Sequence, residues 1–418
     1  PPAGPASYPR PPPTPEPSLA IGLGSMIGAG VFAAFTPAAS AAGAGLLIGL
    51  AVAGLVAFCN ATSSAQLAAQ YPTSGGTYIY GRERLGERPG FIAGWGFVVG
   101  KTASCAAMAM TFAAYTVPDA WQKVVAVAAV LVLTTINYFG VTRTAAVTRV
   151  IVAAVLAVLV LVAAAGLSGG GPGIDVSGGD GGDIGGWYGV LQSSGLLFFA
   201  FAGYARIATL GEEVREPERT IPRAIVIALS FTLVIYAVTA VSLLLGLGPD
   251  RLAASAAPLA ELVHARGWEW AGPIVRIGAA LAALGALLAL IAGVGRTGLA
   301  MARHGDLPAW LAAVHPRYRV PHRAELALAV AVCLLILVVD LREAIGFSSF
   351  GVLVYYFVAN AAAFTQQGSR RRYPRALQVV GGAGCLVLVA TLPPAAVVGG
   401  VAMFVVGVLH RFAMLQLR

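Results

Sequence analysis

The sequence has few charged residues. Asp, Glu, Lys and Arg make up 11% of its 418 residues, whereas an average soluble domain carries about 25%. A soluble chain of this length folds into several domains, and each of them needs its own charged exterior. The residues for those exteriors are missing, while hydrophobic residues reach 58% and the mean hydropathy is +0.81. The composition therefore excludes the soluble classes and indicates a polytopic membrane protein.

Cysteine and the common catalytic motifs are equally scarce. The four cysteines lie within apolar stretches without the paired spacing of a metal site, so we interpret them as small hydrophobic residues. His304, His315 and His322 share one basic loop but lack the spacing of a zinc site. The sequence has no Ser-His-Asp arrangement, phosphate loop or HExxH motif, and no basic stretch interleaved with aromatics. We therefore expect no enzyme, no metal or cofactor, and no nucleic-acid partner.

Long apolar runs are abundant. A helix that crosses the hydrocarbon core, which is about 30 Å thick, needs about 20 predominantly apolar residues. Twelve such runs lie near residues 19–43, 45–69, 90–117, 122–139, 145–167, 187–210, 222–246, 273–301, 324–340, 346–365, 377–391 and 394–413. The sequence therefore predicts an all-α polytopic membrane protein with twelve transmembrane helices in the lipid bilayer.

The distribution of basic residues predicts the orientation. Twelve spans place both termini on one side, and most of the 27 Lys and Arg residues fall in loops on that side. The opposite side holds Lys123, Arg251, Arg266, Arg276 and Arg342. Because cytoplasmic loops carry the excess of Lys and Arg, both termini are predicted to be cytoplasmic, in the plasma membrane. Basic loops that face an anionic leaflet also account for the net charge of +9.

Glycines interrupt the first span. Residues 21–32 read IGLGSMIGAGVF, with four glycines in the middle of the span. Glycine adopts backbone geometries that a helix does not use, and a break at this depth is tolerated only where it faces a cavity. The alternative is a glycine-lined face for helix packing. The sixth span offers a second candidate break, because residues 198–206 read FFAFAGYAR and place Gly203 just before the charge of Arg206.

The two candidate breaks correspond if the chain contains an inverted repeat. Residues 18–167 and 187–366 would then be two five-helix halves, joined by an extracellular Gly/Asp-rich loop at 168–186. A disordered proline-rich tail at 1–17 would precede them, and 367–418 would add helices 11 and 12 and a short cytoplasmic tail. Interrupted helices in matching positions are typical of a transporter's binding site. Freed amides in span one suit an anion and freed carbonyls in span six suit an ammonium group, so together they suit a zwitterion.

Four segments resemble one known family. They read GSMIGAGVF at 24–32, YPTSGGTY at 71–78 followed by Gly94-Trp95, GEEVREPERTIPR at 211–223, and AMARHGDLP at 300–308 followed by His315-Pro316. The chain thereby resembles the amino acid–polyamine–organocation (APC) superfamily, and in particular bacterial amino acid permeases of the cationic-amino-acid-transporter-like branch. The resemblance spans residues 20–325 and implies a LeuT-like five-plus-five inverted repeat with broken helices 1 and 6, which transports an amino acid by alternating access.

The resemblance also implies a set of site residues. The backbone of the first break would bind the substrate carboxylate, and carbonyls of the second break would bind the amino group. These substrate-binding candidates are Met26, Ile27, Gly28, Ala29, Gly30, Phe199, Ala202 and Gly203. Phe201 or Tyr204 is a candidate aromatic gate, and ordinary core packing is the alternative for each ring.

Two basic residues are predicted to lie within the membrane. Lys101 follows Phe91 by ten residues, or about 15 Å along a helix, which places it near the midplane. Arg206 follows the second candidate break. Intramembrane charges are functional candidates by default, so we assign either residue as the coupling charge. The alternatives are that Lys101 extends into a wet cavity and that Arg206 reaches the cytoplasmic interface.

The same spans bear on the coupling ion and the substrate. Some relatives in the superfamily carry a lysine in span five that stands in for sodium, whereas residues 149–167 here contain none. Residues 284–290 of span eight offer no hydroxyl ligand for sodium, which prefers oxygen ligands as other hard cations do. We therefore expect proton symport. Buried positive charges without a mid-span carboxylate favour a neutral or small amino acid.

Three further interpretations stay open. Glu212 and Glu213 follow span six and are candidates for a cytoplasmic gate, with a solvated turn as the alternative. Within transport, an exchanger of amino acids or polyamines is the second candidate. From another class, the chain could be an amino acid sensor that binds its ligand without transporting it.

Overall fold

The computed structural model describes residues 24, 26–28, 30–71, 75–140, 145–169, 186–204, 217–368 and 371–416, and the regular structure there is helical. The α-helices are α1 (Gly30–Ala33), α2 (Phe35–Ala42), α3 (Leu46–Gln70), α4 (Gly76–Leu85), α5 (Glu87–Thr116), α6 (Asp119–Tyr138), α7 (Ala145–Leu167), α8 (Gly186–Phe201), α9 (Pro217–Ala254), α10 (Pro258–Ala265), α11 (Gly272–Arg303), α12 (His322–Val338), α13 (Leu341–Phe364), α14 (Arg375–Thr391) and α15 (Pro394–Gln416).

Eight helical stretches in the described part of the chain are long and apolar enough to cross a membrane. One of them, Phe35–Gln70, combines α2 and α3. Helices α8, α12 and α14 also overlap predicted spans but have only 16, 17 and 17 residues. The all-helical, multi-pass architecture is therefore confirmed, while the count of twelve spans and the inverted repeat stay predictions.

Helix α5 packs closely against α13 through glycines. A Cβ placed on Gly351 would lie 2.5 Å from the carbonyl oxygen of Gly96 and 3.0 Å from the Cα of Gly100. Side chains at these positions would force the two backbones apart. Small residues permit the same close approach in other helix pairs of membrane proteins. The contact holds the middle of α5 in place and thereby positions Lys101, the next residue along the helix.

A polar ladder joins α3 to α13 and α14. The side-chain amide of Asn360 donates to Oδ1 of Asn60 at 2.6 Å, and the hydroxyl of Ser63 donates to Oδ1 of Asn360 at 2.7 Å. The amide of Asn60 lies 3.3 Å from the sulfur of Cys385. All four side chains are buried. Because unsatisfied polar groups are costly in an apolar interior, the ladder specifies how these helices meet.

An ion-pair cluster lies at the end of the molecule where the predicted cytoplasmic loops meet. Oδ2 of Asp306 accepts hydrogen bonds from the Tyr78 hydroxyl at 2.7 Å and from Arg82 at 2.9 Å. Oδ1 of Asp306 lies 3.3 Å from Nε of Arg411, and both arginines also pair with Glu87. Burial raises the pKa of the Tyr78 hydroxyl above its usual range, and the hydrogen bond to Asp306 adds to the effect. We call these five residues the Asp306 cluster; it joins α4, α5, the segment after α11, and α15.

Candidate substrate site

The interruption of the first span packs directly against α8. Ile27 and Gly28 lie in a bend, and α1 begins only at Gly30. A Cβ placed on Gly30 would lie 2.7 Å from the Cα of Ala200 and 2.9 Å from its Cβ. This distance is shorter than real Cβ contacts, so only glycine lets the two backbones approach this closely.

Other glycines of the first span contact α7 and α11. A Cβ on Gly28 would lie 3.0 Å from the Cβ of Ala286 in α11. A Cβ on Gly24 would lie 3.0 Å from Val152 and 3.1 Å from Thr148, both in α7. The interrupted segment is therefore enclosed by α7, α8 and α11, which is the environment that a non-helical backbone needs at membrane depth.

The second predicted break coincides with the end of α8. The α-helix ends at Phe201, and residues Ala202–Tyr204 form a single 3-10 turn. Phe199, Phe201, Ala202 and Tyr204 are buried. The change in helix type lies within one residue of the Gly203 that indicated it.

The hydroxyl of Tyr236, in α9, joins the two segments. It lies 2.5 Å from the carbonyl oxygen of Met26 and 3.1 Å from that of Ala200, so its proton is donated to one or the other. The rings of Phe35 and Phe201 pack on Tyr236 with centroids 6.3 and 5.1 Å away. This tyrosine is fully enclosed and connects the first span to α8 through a single group.

Two more tyrosines reach carbonyls of the same segments. The Tyr115 hydroxyl, from α5, lies 3.2 Å from the carbonyl oxygen of Phe32. The Tyr356 hydroxyl, from α13, lies 3.5 Å from that of Ala202. Sequence reasoning missed all three tyrosines. The signal that would have found them is a polar aromatic residue in the middle of an apolar span, since a buried hydroxyl needs a partner.

The two candidate gate rings sit in an aromatic cluster. Phe201 packs against Tyr236, and the ring of Tyr204 lies 4.9 Å from that of Tyr356 at an interplanar angle of 30°. Both residues have no exposed surface. This arrangement is compatible with a closed gate and with core packing, so the sequence-based alternatives remain.

Lys101 is buried, with 7% of its surface exposed. It follows Gly94 by two helical turns, and Gly94 contacts Met301, so Lys101 lies on the side of α5 that faces α11. No carboxylate in the described part of the chain forms an ion pair with it. Among the described residues, no side-chain hydrogen bond joins Lys101 to the interrupted segments.

The remaining candidates lie outside the described residues. They are Ala29, Arg206, Glu212 and Glu213. The described residues contain no cluster of three or more His, Cys, Asp or Glu side chains that could bind a metal ion. The arrangement that the structure does bring together is therefore the backbone of Met26–Gly28 and Gly30, the end of α8, and three tyrosine hydroxyls.

Replacing Tyr236 with phenylalanine tests the hydroxyl bridge. The variant keeps the ring contacts but removes the one hydroxyl proton that the carbonyl oxygens of Met26 and Ala200 share. Since one hydrogen bond contributes about 0.5–1.5 kcal/mol, we expect the initial rate of substrate uptake to fall about two- to tenfold. The control is Tyr188→Phe, because Tyr188 is 56% exposed at the other end of α8. Equal uptake by the two variants would show that the bridge has no role in transport.

Comparison with known proteins adds independent information. Residues 18–392 match the sequence model of a family described as "Amino acid permease". An uncharacterized transporter of Mycobacterium tuberculosis is 60% identical over 388 residues, which cover 92% of this chain and 87% of that protein. The branched-chain amino acid permease BcaP of Bacillus subtilis is 26% identical over 394 residues, covering 86% of this chain and 81% of BcaP. Cationic amino acid transporter 7, chloroplastic, of Arabidopsis thaliana is 29% identical over 367 residues, or 82% of this chain and 63% of that transporter.

Proposed function

This chain belongs to the amino acid permease family, and we propose that it is a secondary transporter that carries an amino acid across the membrane by alternating access. It is a transporter rather than an enzyme, as the family and the names of its relatives indicate. The observation that carries the proposal is the close approach of the interrupted first span to α8 at Gly30 and Ala200, bridged by the Tyr236 hydroxyl. A substrate bound between these two segments would contact both, so their separation would control access to it.

The substrate is proposed to be held by the backbone. Amides of the Met26–Gly30 segment bind its carboxylate, and the carbonyls of Phe199 and Ala202 bind its amino group, beside Gly203. Backbone groups suit this role because they bear partial charge without requiring a buried ion. The site therefore recognises the part common to all amino acids. The buried Lys101 and the absence of a buried acidic partner for it among the described residues support a neutral or small side chain over a cationic one.

The proposed architecture follows the family resemblance. The proposed twelve transmembrane helices form two inverted halves at 18–167 and 187–366, followed by two further spans within 367–418. The protein lies in the plasma membrane with both termini in the cytoplasm, as the distribution of Lys and Arg indicates. The exposed valines on the outer faces of the helices, such as Val150 at 69% and Val398 at 70%, support direct contact with lipid.

Transport is proposed to be coupled to protons. Lys101 supplies an intramembrane group that can lose and regain a proton, while Arg206 would remain charged. Glu212 and Glu213 are the proposed cytoplasmic gate. The second candidate is an exchanger of amino acids or polyamines, and the third is a sensor that binds without transport.

Uptake into proteoliposomes separates these functions. The purified protein is reconstituted with an imposed pH gradient, and the twenty amino acids and putrescine are tested one at a time. We expect accumulation of a neutral amino acid that collapses on addition of a protonophore. Flux that requires a preloaded lumen would instead show an exchanger, and ligand-dependent thermal stabilisation without flux would show a sensor. Dependence on sodium would contradict the proton proposal.

Replacement of Lys101 with methionine tests the coupling charge. We expect the variant to lose proton-driven accumulation, so that the internal substrate concentration rises only to the external one. Exchange of labelled for unlabelled substrate should continue. The chain's other lysine provides the control: Lys123 is exposed in α6, and Lys123→Met should accumulate substrate normally. Normal accumulation by Lys101→Met would remove Lys101 from the coupling mechanism.

A further inference from the structure

A polar cleft opens at the end of the molecule opposite the Asp306 cluster. Its volume is about 480 Å³, and it lies where the end of α5, the start of α6, the segment through α10, and the first turns of α11 meet. The charged and titratable side chains that line it are Asp119, Glu261, His264 and Arg276. Ligand pockets for small molecules span about 300–1,000 Å³, so the cleft is large enough for an amino acid. We call it the outer cleft, because the basic-residue distribution places this end outside.

The outer cleft carries both signs of charge. Arg276 donates one hydrogen bond to the carbonyl oxygen of Tyr115 at 3.0 Å, and no carboxylate in the described ranges forms an ion pair with it. Glu261 pairs at 3.1 Å with Arg251, whose side chain is 59% exposed. Asp119 accepts a hydrogen bond from Gln122 at 2.7 Å. The guanidinium of Arg276 therefore retains free donors in a cleft that two carboxylates also line.

The floor of the outer cleft touches the interrupted first span. Tyr115 accepts a hydrogen bond from the amide of Leu259 at 3.4 Å, and its hydroxyl lies 3.2 Å from the carbonyl oxygen of Phe32. The hydroxyl of Thr36, in α2, donates to the carbonyl oxygen of Ser255, which lines the cleft, at 2.8 Å. The lining of the outer cleft is thus hydrogen-bonded to the outer part of the first span through Ser255 and Thr36.

We infer that the outer cleft is a second binding site for the amino acid zwitterion, in which Arg276 binds the carboxylate and Glu261 or Asp119 binds the ammonium group. This inference rests on the proposed function for its ligand class. Charge-assisted hydrogen bonds to both ends of the ligand require groups of both signs in one cavity, which the cleft provides. The residues that line the cleft do not include any residue of the proposed backbone site, so the two sites are distinct.

Counting binding sites tests the inference. Radiolabelled L-alanine, L-leucine and L-arginine are titrated separately onto the purified protein and its variants, and the number of sites per chain is measured. For the ligand that binds, we expect two sites in the wild type, one in Arg276→Gln, one in Gly30→Ala and none in the double variant. Arg276→Lys should retain the second site with affinity about three- to tenfold lower, because it keeps the charge but loses the planar fork.

The control for Arg276 is another arginine predicted to lie outside. Arg342, at the start of α13, does not line the outer cleft and donates a hydrogen bond to Gln192 instead, so Arg342→Gln should keep two sites. One site in the wild type that Arg276→Gln leaves intact would overturn the inference, as would two sites that both survive Arg276→Gln. Two sites without any flux in proteoliposomes would contradict the transport proposal and leave the outer cleft standing. The absence of binding by all three amino acids would contradict both.

Discussion

Replacement of Gly30 with alanine is expected to reduce the initial rate of substrate uptake by about 5- to 150-fold. The new methyl group would lie 2.7 Å from the Cα of Ala200, and backbone cannot move aside as a flexible side chain can. Overpacking of this kind costs about 1–3 kcal/mol. That energy would lower the population of the conformation in which the two segments meet by about 5- to 150-fold, and the uptake rate would fall in proportion. The first span and α8 would be held apart at the place where the substrate is proposed to bind.

The matched control is an alanine in place of a glycine that has room for it. Gly293, in α11, has no atom within 4 Å of a Cβ position, so Gly293→Ala should transport at the wild-type rate. Both variants should elute as the wild type does on size-exclusion chromatography in detergent. If Gly30→Ala transports normally, the close approach of the first span to α8 is unimportant for function, and the proposed site would have to lie elsewhere.

Replacement of Asp306 with alanine is expected to lower the free energy of unfolding by about 3–5 kcal/mol. The side chain of Asp306 is 4% exposed and lies between Arg82 and Arg411, which are 17% and 10% exposed. Removing one partner of a buried ion pair leaves charges without compensation, which is the costly case. Glu87 remains beside both arginines but is 70% exposed and cannot replace the buried carboxylate.

Chemical denaturation of the protein in detergent measures this loss in the free energy of unfolding. The free energy of unfolding of Asp306→Asn should lie between those of Asp306→Ala and the wild type, since the amide keeps one acceptor for Tyr78 or Arg82. The control is Arg251→Ala, which breaks a pair of similar length, 3.1 Å, on an exposed surface. Exposed pairs contribute about 0–1 kcal/mol, so this control should be nearly neutral. Equal losses from Asp306→Ala and Arg251→Ala would show that burial adds nothing to the cluster.

Much of the helical framework could be predicted from the sequence, because apolar length is a local property. The run at 145–167 corresponds to α7 (Ala145–Leu167) without a shift, and the run at 90–117 corresponds to most of α5 (Glu87–Thr116). The glycines of the first span also indicated where its helix would be interrupted. In each case the residues that carry the signal are the residues that form the element.

The tyrosine contacts could not be predicted in the same way. Tyr236 contributes only because α9 brings its hydroxyl within 3.1 Å of carbonyls that lie 36 and 210 residues away. Nothing in the neighbouring sequence of Tyr236 encodes that distance. The outer cleft could not be predicted either. Its charged groups come from separate helices, and only the assembly of those helices places both signs of charge in one cavity. Long-range placement, rather than residue type, determines these sites.

The Asp306 cluster also has a consequence for biosynthesis. Arg411 donates to the carbonyl oxygen of Glu87, 324 residues earlier in the chain. At synthesis rates of about 5–20 residues per second, the ribosome adds Arg411 roughly 16 to 65 seconds after Glu87. Throughout that interval Glu87 lacks Arg411, and Asp306 lacks it as well from its own synthesis onward, so the contact between α5 and α15 forms only after α15 has been inserted. A nascent chain that stalls before α15 would therefore expose an incomplete charge cluster that cellular quality control can recognise.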